Sequence, residues 1–516
     1  MKKFKSLIAA LLAATMVLTM TGCDEEAGPT GSGNGGNDVS TPTANNGGNG
    51  GAGDSTSSDT TQSADFSKEM DDEAVSEAAK ALVSQLSYPD LKVEKRIKWL
   101  SWWTMDESSG EALLFKEQYG VPATGDDPAS DGRIFENEIV VYEARYDRLS
   151  TLIASDESPD IYPFAIDDFP YGILMNRYQA VDEIVDFNSA KWAPTKDLND
   201  QFALKGKHYA AFWTFTLSDL LWYRKSNIDA IGKDDPQEMF LNGTWDWDAF
   251  LDIAREWQKT GTESDPRFAV DGWSADTDFL ISTGVPLIGN DGGKLVSNLR
   301  KSEVERVITG LITTLQQENL RYPRHELNDW QYNPAAWGKD QILFFADGTW
   351  RYEDDLQVFG KKYKWPAGDI KVVPFPKDPN ADKYYVQIKV DVPMWVKGSK
   401  NKEGVQAWLD CCVTASRDKT MHEASNQKMI KNPKQNYTQE ILDFLDMLYG
   451  YEGESPLTPI VDFKTGLGPV VNDGTMEAPI NAVLSTVYLT GGSFVQLREE
   501  NESRIQAALD DINGKL

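Results

Sequence analysis

Aromatic rings beside acidic side chains, at points where extended segments end, are the residues of this chain best suited to chemistry. Trp102 and Trp103 close one apolar segment, and Phe164 leads into the adjacent acids Asp167 and Asp168 at the end of another. Trp213, Trp337 and Trp350 also fall on expected strand ends or loops. A saccharide ring offers apolar C–H faces and a polar rim. An aromatic face covers the first, while carboxylates and amides take the hydroxyls. The chain has 16 tryptophans, so some must serve the core instead. Trp247, Trp257 and Trp408 fall on the apolar stripes of expected helices and are assigned there.

Other chemistries find little support. No serine elbow, phosphate loop or zinc motif occurs. His208, His325 and His422 are the only histidines, and no spaced ligand pair accompanies them. Asp127, Asp131, Gly132 and Glu138 stand where a calcium loop places its first, fifth, sixth and twelfth residues. Ala129 breaks the third place and Glu138 is better used in a strand, so neither metal nor cofactor is expected. A glycoside hydrolase needs two carboxylates across a sugar cleft. With 81 acids in the chain some pair always qualifies, which makes the count uninformative.

The elements that must position these residues alternate. Arg96–Leu100 reads as a strand, Glu111–Gln118 as a helix and Glu138–Tyr142 as a second strand. A helix carrying Tyr146, Leu149, Leu152 and Ile153 follows, and a third strand starts at Pro159. Such alternation implies a mainly parallel sheet with helices on both faces, and ligands in these sheets sit beyond the carboxyl ends of strands. Trp102, Trp103, Phe164, Asp167 and Asp168 are thereby expected at a cleft. Leu220–Tyr223 is a further strand, and Asp246–Trp257 a helix with Thr244 as its cap, opening a second lobe. Residues 65–87 read as a helix bracing the first lobe. Val405, Trp408, Leu409 and Cys412 share a helical face, so Cys412 is expected in the core with Cys411 beside it.

The N-terminus sets the compartment. Lys2, Lys3 and Lys5 precede an apolar run from Leu7 to Met20, then Thr21, Gly22 and Cys23. The run is too short to span a membrane. It resembles a bacterial lipoprotein signal covering residues 1–22, in which Cys23 receives lipid, although Met20 departs from the usual residue before the cut. Residues 23–64, rich in Gly, Asn, Ser and Thr, then form a tether with a reach of about 35 Å. The expected location is the outer face of the cell membrane. The formal net charge of −30 excludes nucleic acid and anionic lipid surfaces as natural partners. The remaining body, about 450 residues, is too long for one core and predicts two lobes.

Several segments in order resemble the extracellular solute-binding proteins of family 1, which feed ABC importers. They are Ser158-Pro159-Asp160-Ile161, Gly206-Lys207-His208-Tyr209-Ala210 and Leu221-Trp222-Tyr223-Arg224-Lys225-Ser226. Next come Gly243-Thr244-Trp245 with Phe250, the Pro286–Gly293 loop, Gly338-Lys339 through Gly348-Thr349-Trp350, and Gly398-Ser399-Lys400-Asn401. Arg224 stands where the family usually has Asn. The resemblance implies a periplasmic-binding-protein-like α/β fold of two lobes joined by hinge segments. It implies lobe 1 at 93–219 and 389–449, lobe 2 at 220–388 and 450–516, and 65–92 as the bracing helix. It further implies that Trp350 stacks on sugar and that Ser218, Asp219, Asp278 and Ser282 lie in contact regions. A monomer that binds an oligosaccharide without catalysis and delivers it to a permease is the resulting expectation. A surface-tethered glycoside hydrolase and a lipoprotein reporting to a sensor kinase are the alternatives.

Overall fold

Local capping and apolar spacing define the first elements. Helix α1 (Glu73–Leu82) buries Val75, Ala78, Ala79 and Leu82 on one side. Strand β1 (Ile97–Ser101) leads to α2 (Gly110–Tyr119), whose cap Ser109 accepts the Ala112 N–H. Then come β2 (Phe135–Ile139), α3 (Arg145–Ala154) and β3 (Ile161–Pro163). The computed structural model describes residues 73–123, 131–217, 219–272, 275–323, 334–349, 365–389, 392–431, 437–451, 454–469, 478–490 and 492–516. Cys23 and the signal and tether segments lie outside these residues, as do Asp127, Ala129, Ser218, His325 and Trp350.

Strand β1 is parallel to β2 on one side and to β3 on the other. The second strand begins before its expected place at Glu138. Ile134 and Phe135 are the buried residues beside Ile97, whereas Ile139 and Val141 are 52% and 68% exposed at the sheet's edge. Apolar density alone misplaced the strand, because an edge strand needs less apolar surface than a central one.

A hairpin of β4 (Ala203–Leu204) and β5 (Lys207–His208) turns at Lys205 and Gly206, both with positive φ. The short β6 (Thr216–Leu217) then passes into β7 (Leu220–Arg224), the start of the second lobe. Helix α4 (Trp247–Lys259) is capped by Asp246, which accepts the Ala249 N–H, and not by Thr244 as the sequence predicts. The Thr244 hydroxyl bonds back to the Met239 carbonyl instead. Trp247, Phe250, Ile253 and Trp257 form the buried face of α4. Each contributes roughly 1.5–3 kcal/mol by leaving water.

Next are β8 (Phe268–Gly272), α5 (Ala275–Ile281), a hairpin of β9 (Ile288–Asp291) and β10 (Lys294–Ser297), β11 (Ile342–Asp347) and β12 (Ile370–Val373). The second sheet has the order β12-β7-β11-β8, with β11 parallel to β8 and β7 antiparallel to both neighbours. All of β11 is buried, as a central strand covered on both faces requires. Gly272 has φ +138° and meets the Ala346 carbonyl where a Cβ would stand, so only glycine fits between β8 and β11.

Strand β13 (Tyr384–Lys389) carries the chain back to β14 (Pro393–Trp395), which pairs with β3 and completes the first sheet in the order β14-β3-β1-β2. Helix α6 (Lys402–Ala415) follows, capped by Asn401, with Cys411 and Cys412 both buried as expected. Burial pushes both thiols well above their ordinary range. Helices α7 (Lys419–Lys431) and α8 (Gln439–Tyr449) precede β15 (Leu457–Ile460), α9 (Pro479–Thr490) and α10 (Phe494–Lys515). Strands β15, β13 and β6 make a third small sheet. Strand β6 leads out of the first lobe and β13 leads back into it, so this sheet holds the crossings together.

Helix α7 lies on lobe 1, packing on α1 and reaching the Ser108 carbonyl through Lys428. Helix α8 makes contacts both ways: Asp446 accepts from Asn426 of α7 at 2.8 Å and meets His422 at 2.7 Å, while Phe444 stands 6.0 Å from Phe240 and Glu440 pairs with Lys371.

Candidate ligand-binding site

Three parallel strands bring the carboxyl ends of β1, β2 and β3 to one edge of lobe 1. Trp102 follows β1 directly, and its ring stands edge-on to Tyr142 at 5.0 Å and to Trp103 at 4.6 Å. Tyr142 follows β2, and Asp167 follows β3 by a short turn. Arg145, the first residue of α3, ties these parts together. Its guanidinium lies 3.4 Å from the Tyr142 ring centre and 4.2 Å from that of Tyr146. It donates to the Tyr142 carbonyl at 2.6 Å and pairs with Asp167 at 2.6 Å. Asp167 also accepts the Tyr146 hydroxyl at 2.8 Å, yet its side chain remains 34% exposed.

Asp168 is different. It is 3% exposed, pairs with Arg177 at 2.5 Å and accepts the Tyr178 hydroxyl at 2.8 Å. Burial pushes its carboxyl up to about 7, against the opposing pull of Arg177 and Tyr178. The same burial raises Tyr146, Tyr162 and Tyr178. Of the two acids, Asp167 is the one that reaches solvent, and Asp168 is held inside by Arg177 and Tyr178.

The matching edge of lobe 2 carries carboxylates. Asp347 ends β11 opposite Leu220, and Asp219 is the residue before that partner. Asp271 lies in β8 and Asp278 in α5 just beyond it. All four are buried. Ser282 accepts the Trp247 indole N–H at 3.0 Å and donates to the Phe279 carbonyl at 2.6 Å, so it serves packing. Tyr437 of the segment before α8 donates to the Thr349 carbonyl at 3.5 Å.

Two aromatic candidates are core residues. Phe164 sits among Phe169, Phe202 and Phe212, with centroid distances of 5.6, 5.3 and 5.5 Å. Trp337 is fully buried, stacked on Phe345 at 5.1 Å and 17°. Each lies near a strand end, but its side chain turns inward. Trp213 is half-buried between the two cores, and its carbonyl accepts from Arg417 at 3.4 Å. Of the expected site residues, Trp102 and Trp103 stand together and Asp167 follows the neighbouring strand on lobe 1, while Asp219 and Asp278 are buried in lobe 2. Sequence reasoning missed Tyr142, Arg145, Asp271 and Asp347. Two signals pointed to them: the Tyr-x-x-Arg-Tyr spacing at 142–146, and the Asp-Gly pairs that end the apolar runs at 271 and 347.

Among the described residues no group of three or more His, Cys, Asp or Glu could hold a metal ion. Asp131, from the calcium-like pattern, is engaged by Arg96 at 2.6 Å and Arg133 at 2.9 Å.

Two four-stranded sheets, a small three-stranded sheet at the crossings and candidate residues at the strand ends define a two-lobe α/β binding-protein fold. Solved structures share it. The sugar-binding protein MalE from Xanthomonas citri aligns with a TM-score of 0.56 at 15% identity, over 81% of this chain and 98% of its own. The GacH receptor of Streptomyces glaucescens, solved unliganded and with acarbose, gives 0.54 at 13% identity, over 81% and 100%. The cyclic α-maltosyl-1,6-maltose binding protein from Arthrobacter globiformis gives 0.55 at 11%, over 81% and 99%. No curated protein matches this chain in sequence. The chain belongs to the bacterial extracellular solute-binding proteins, whose family profile matches residues 137–416, more than half of its length.

Proposed function

We propose that this solute-binding protein captures an oligosaccharide in the cleft between its lobes and passes it to an ABC import permease. In this reading it works outside the cell membrane, held by lipid on Cys23 and the tether that follows. The observation that carries the saccharide is the corner formed by Trp102 and Tyr142 beside Asp167, a carboxylate that is ordered yet 34% exposed. Rings for C–H faces next to an acceptor for hydroxyls are what a sugar demands. The saccharides named with the structural relatives, acarbose and maltosyl compounds, support the same class. Trp350, outside the described residues, is the aromatic proposed for the opposite wall.

A thermal-shift screen over oligosaccharides tests the binding. A true ligand at 100 times its Kd stabilises the protein by about 2.7 kcal/mol. Recovery of the sugar intact after long incubation is the expected result, whereas its breakdown by pure protein would favour the hydrolase. For the anchor, Cys23→Ser should leave the precursor uncut or release the protein from membranes. Wild-type protein found wholly in the soluble fraction, without lipid, would defeat that part.

A further inference from the structure

Arg145 occupies a place that its own helix does not favour. It is the first residue of α3, where the backbone N–H groups concentrate positive charge and repel a cation. It is also buried. Its position is set by what surrounds it: the ring faces of Tyr142 and Tyr146 and the carboxylate of Asp167. Arg177 repeats the device, 4.9 Å from the ring centre of Tyr146 and paired with Asp168. Two adjacent acids are therefore matched by two guanidinium groups that approach one ring, and the charge of the exposed acid, Asp167, is balanced by Arg145.

The matching leaves little of Asp167 uncommitted. A carboxylate has about four acceptor directions. Arg145 and Tyr142 point at Oδ2, from 2.6 and 3.5 Å, and Tyr146 points at Oδ1 from 2.8 Å. About one direction remains on the exposed side, enough for one hydroxyl. On a chain of net charge −30, an unmatched acid at this edge would gather cations.

We propose that Arg145 is a positioning residue that sets ligand charge selectivity: by neutralising and orienting Asp167 it makes the lobe 1 wall select uncharged, hydroxyl-bearing saccharides over cationic ones. This rests on the saccharide reading of the cleft and adds to it the charge class of the ligand and the residue that determines it.

The test uses a panel of neutral tetrasaccharides and the same sugars bearing one amine at the reducing end. Binding is titrated by calorimetry at low salt, where charge effects are least screened. The readout is the ratio of the two affinities for each sugar. Wild-type protein is expected to prefer the neutral form at least tenfold. In Arg145→Met the ratio should fall tenfold or more toward the amine, while Arg145→Lys, which keeps the charge, retains the neutral preference. Asp167→Asn leaves the guanidinium unbalanced and must shift the ratio the opposite way, a result that stands even if Arg145→Met does not fold. A merely structural role for Arg145 would weaken both forms alike, and an unchanged ratio in the Arg145→Met and Asp167→Asn variants would overturn the proposal. Wild-type protein that binds amine and neutral forms equally would also overturn it. Wild-type protein that binds no member of the panel would defeat the saccharide reading, and this proposal with it.

Discussion

At the carboxyl edge of lobe 1, rings and guanidinium groups hold a carboxylate that still reaches water. At the matching edge of lobe 2, four carboxylates lie buried. Both edges stand at the ends of neighbouring strands, and both are rich in the residue types that contact solutes. What separates them is burial. Asp167 keeps a third of its side chain exposed, while its neighbour Asp168 is 3% exposed. Position at a strand end nominates a residue, but the packing behind it decides whether the side chain can meet a ligand.

The sharpest way to break this contrast is through the two tryptophans that the sequence treats as equals. Trp337→Ala should cost about 3–5 kcal/mol of stability, because it empties a packed site between Phe345 and Trp365. Denaturant unfolding measures this, and the folded fraction should bind its ligand unchanged. A stable Trp337→Ala protein with lost affinity would reverse the assignment. Trp102→Ala should do the opposite. Its half-buried ring is worth roughly 1.5–3 kcal/mol if a ligand covers it fully. Calorimetric titration should then show a 10- to 100-fold loss, at about 1.4 kcal/mol per tenfold, with a small change in melting temperature.

The smallest effect concerns Asp168. Its folded-state carboxyl is raised from 3.8 to about 7. Between these values the folded protein holds a proton that the unfolded chain gives up. Stability from this group is therefore present below about pH 4 and is lost as pH rises through about 7. The difference in unfolding free energy between wild type and Asp168→Asn should drift with pH across that window. A flat difference would mean that Arg177 keeps Asp168 ionised throughout.

Much of the frame was legible in the sequence. The apolar stripe of Trp247, Phe250, Leu251 and Ala254 marks α4, although Ile253 is buried there and Leu251 only half so, and Leu220–Tyr223 lies within β7. These patterns are local, so local periodicity finds them. Strand β2 was misplaced because its edge position depends on pairing with β1, far away in the chain. Asp246 displaced Thr244 as the cap because its backbone also pairs alongside Lys377. At the site, Trp102 and Asp167 were found as residue types at strand ends. Their organiser was not: the Tyr-x-x-Arg-Tyr spacing sets Arg145 beside two rings, but its pairing with Asp167, 22 residues on, is made only by the fold. Phe164 and Trp337 were nominated on the same grounds as Trp102, and only three-dimensional packing tells them apart.

The late return of β14 to the first sheet has a consequence for how the protein is made. Met394 pairs with Tyr162, more than two hundred residues earlier, and until that strand arrives β3 presents an open edge. Contacts this distant make folding slow, because a long loop must close before any of them is rewarded. During synthesis, lobe 1 therefore cannot complete itself before most of the chain exists. The order in which strands emerge thus delays compaction of lobe 1 until about three quarters of the polypeptide has been made.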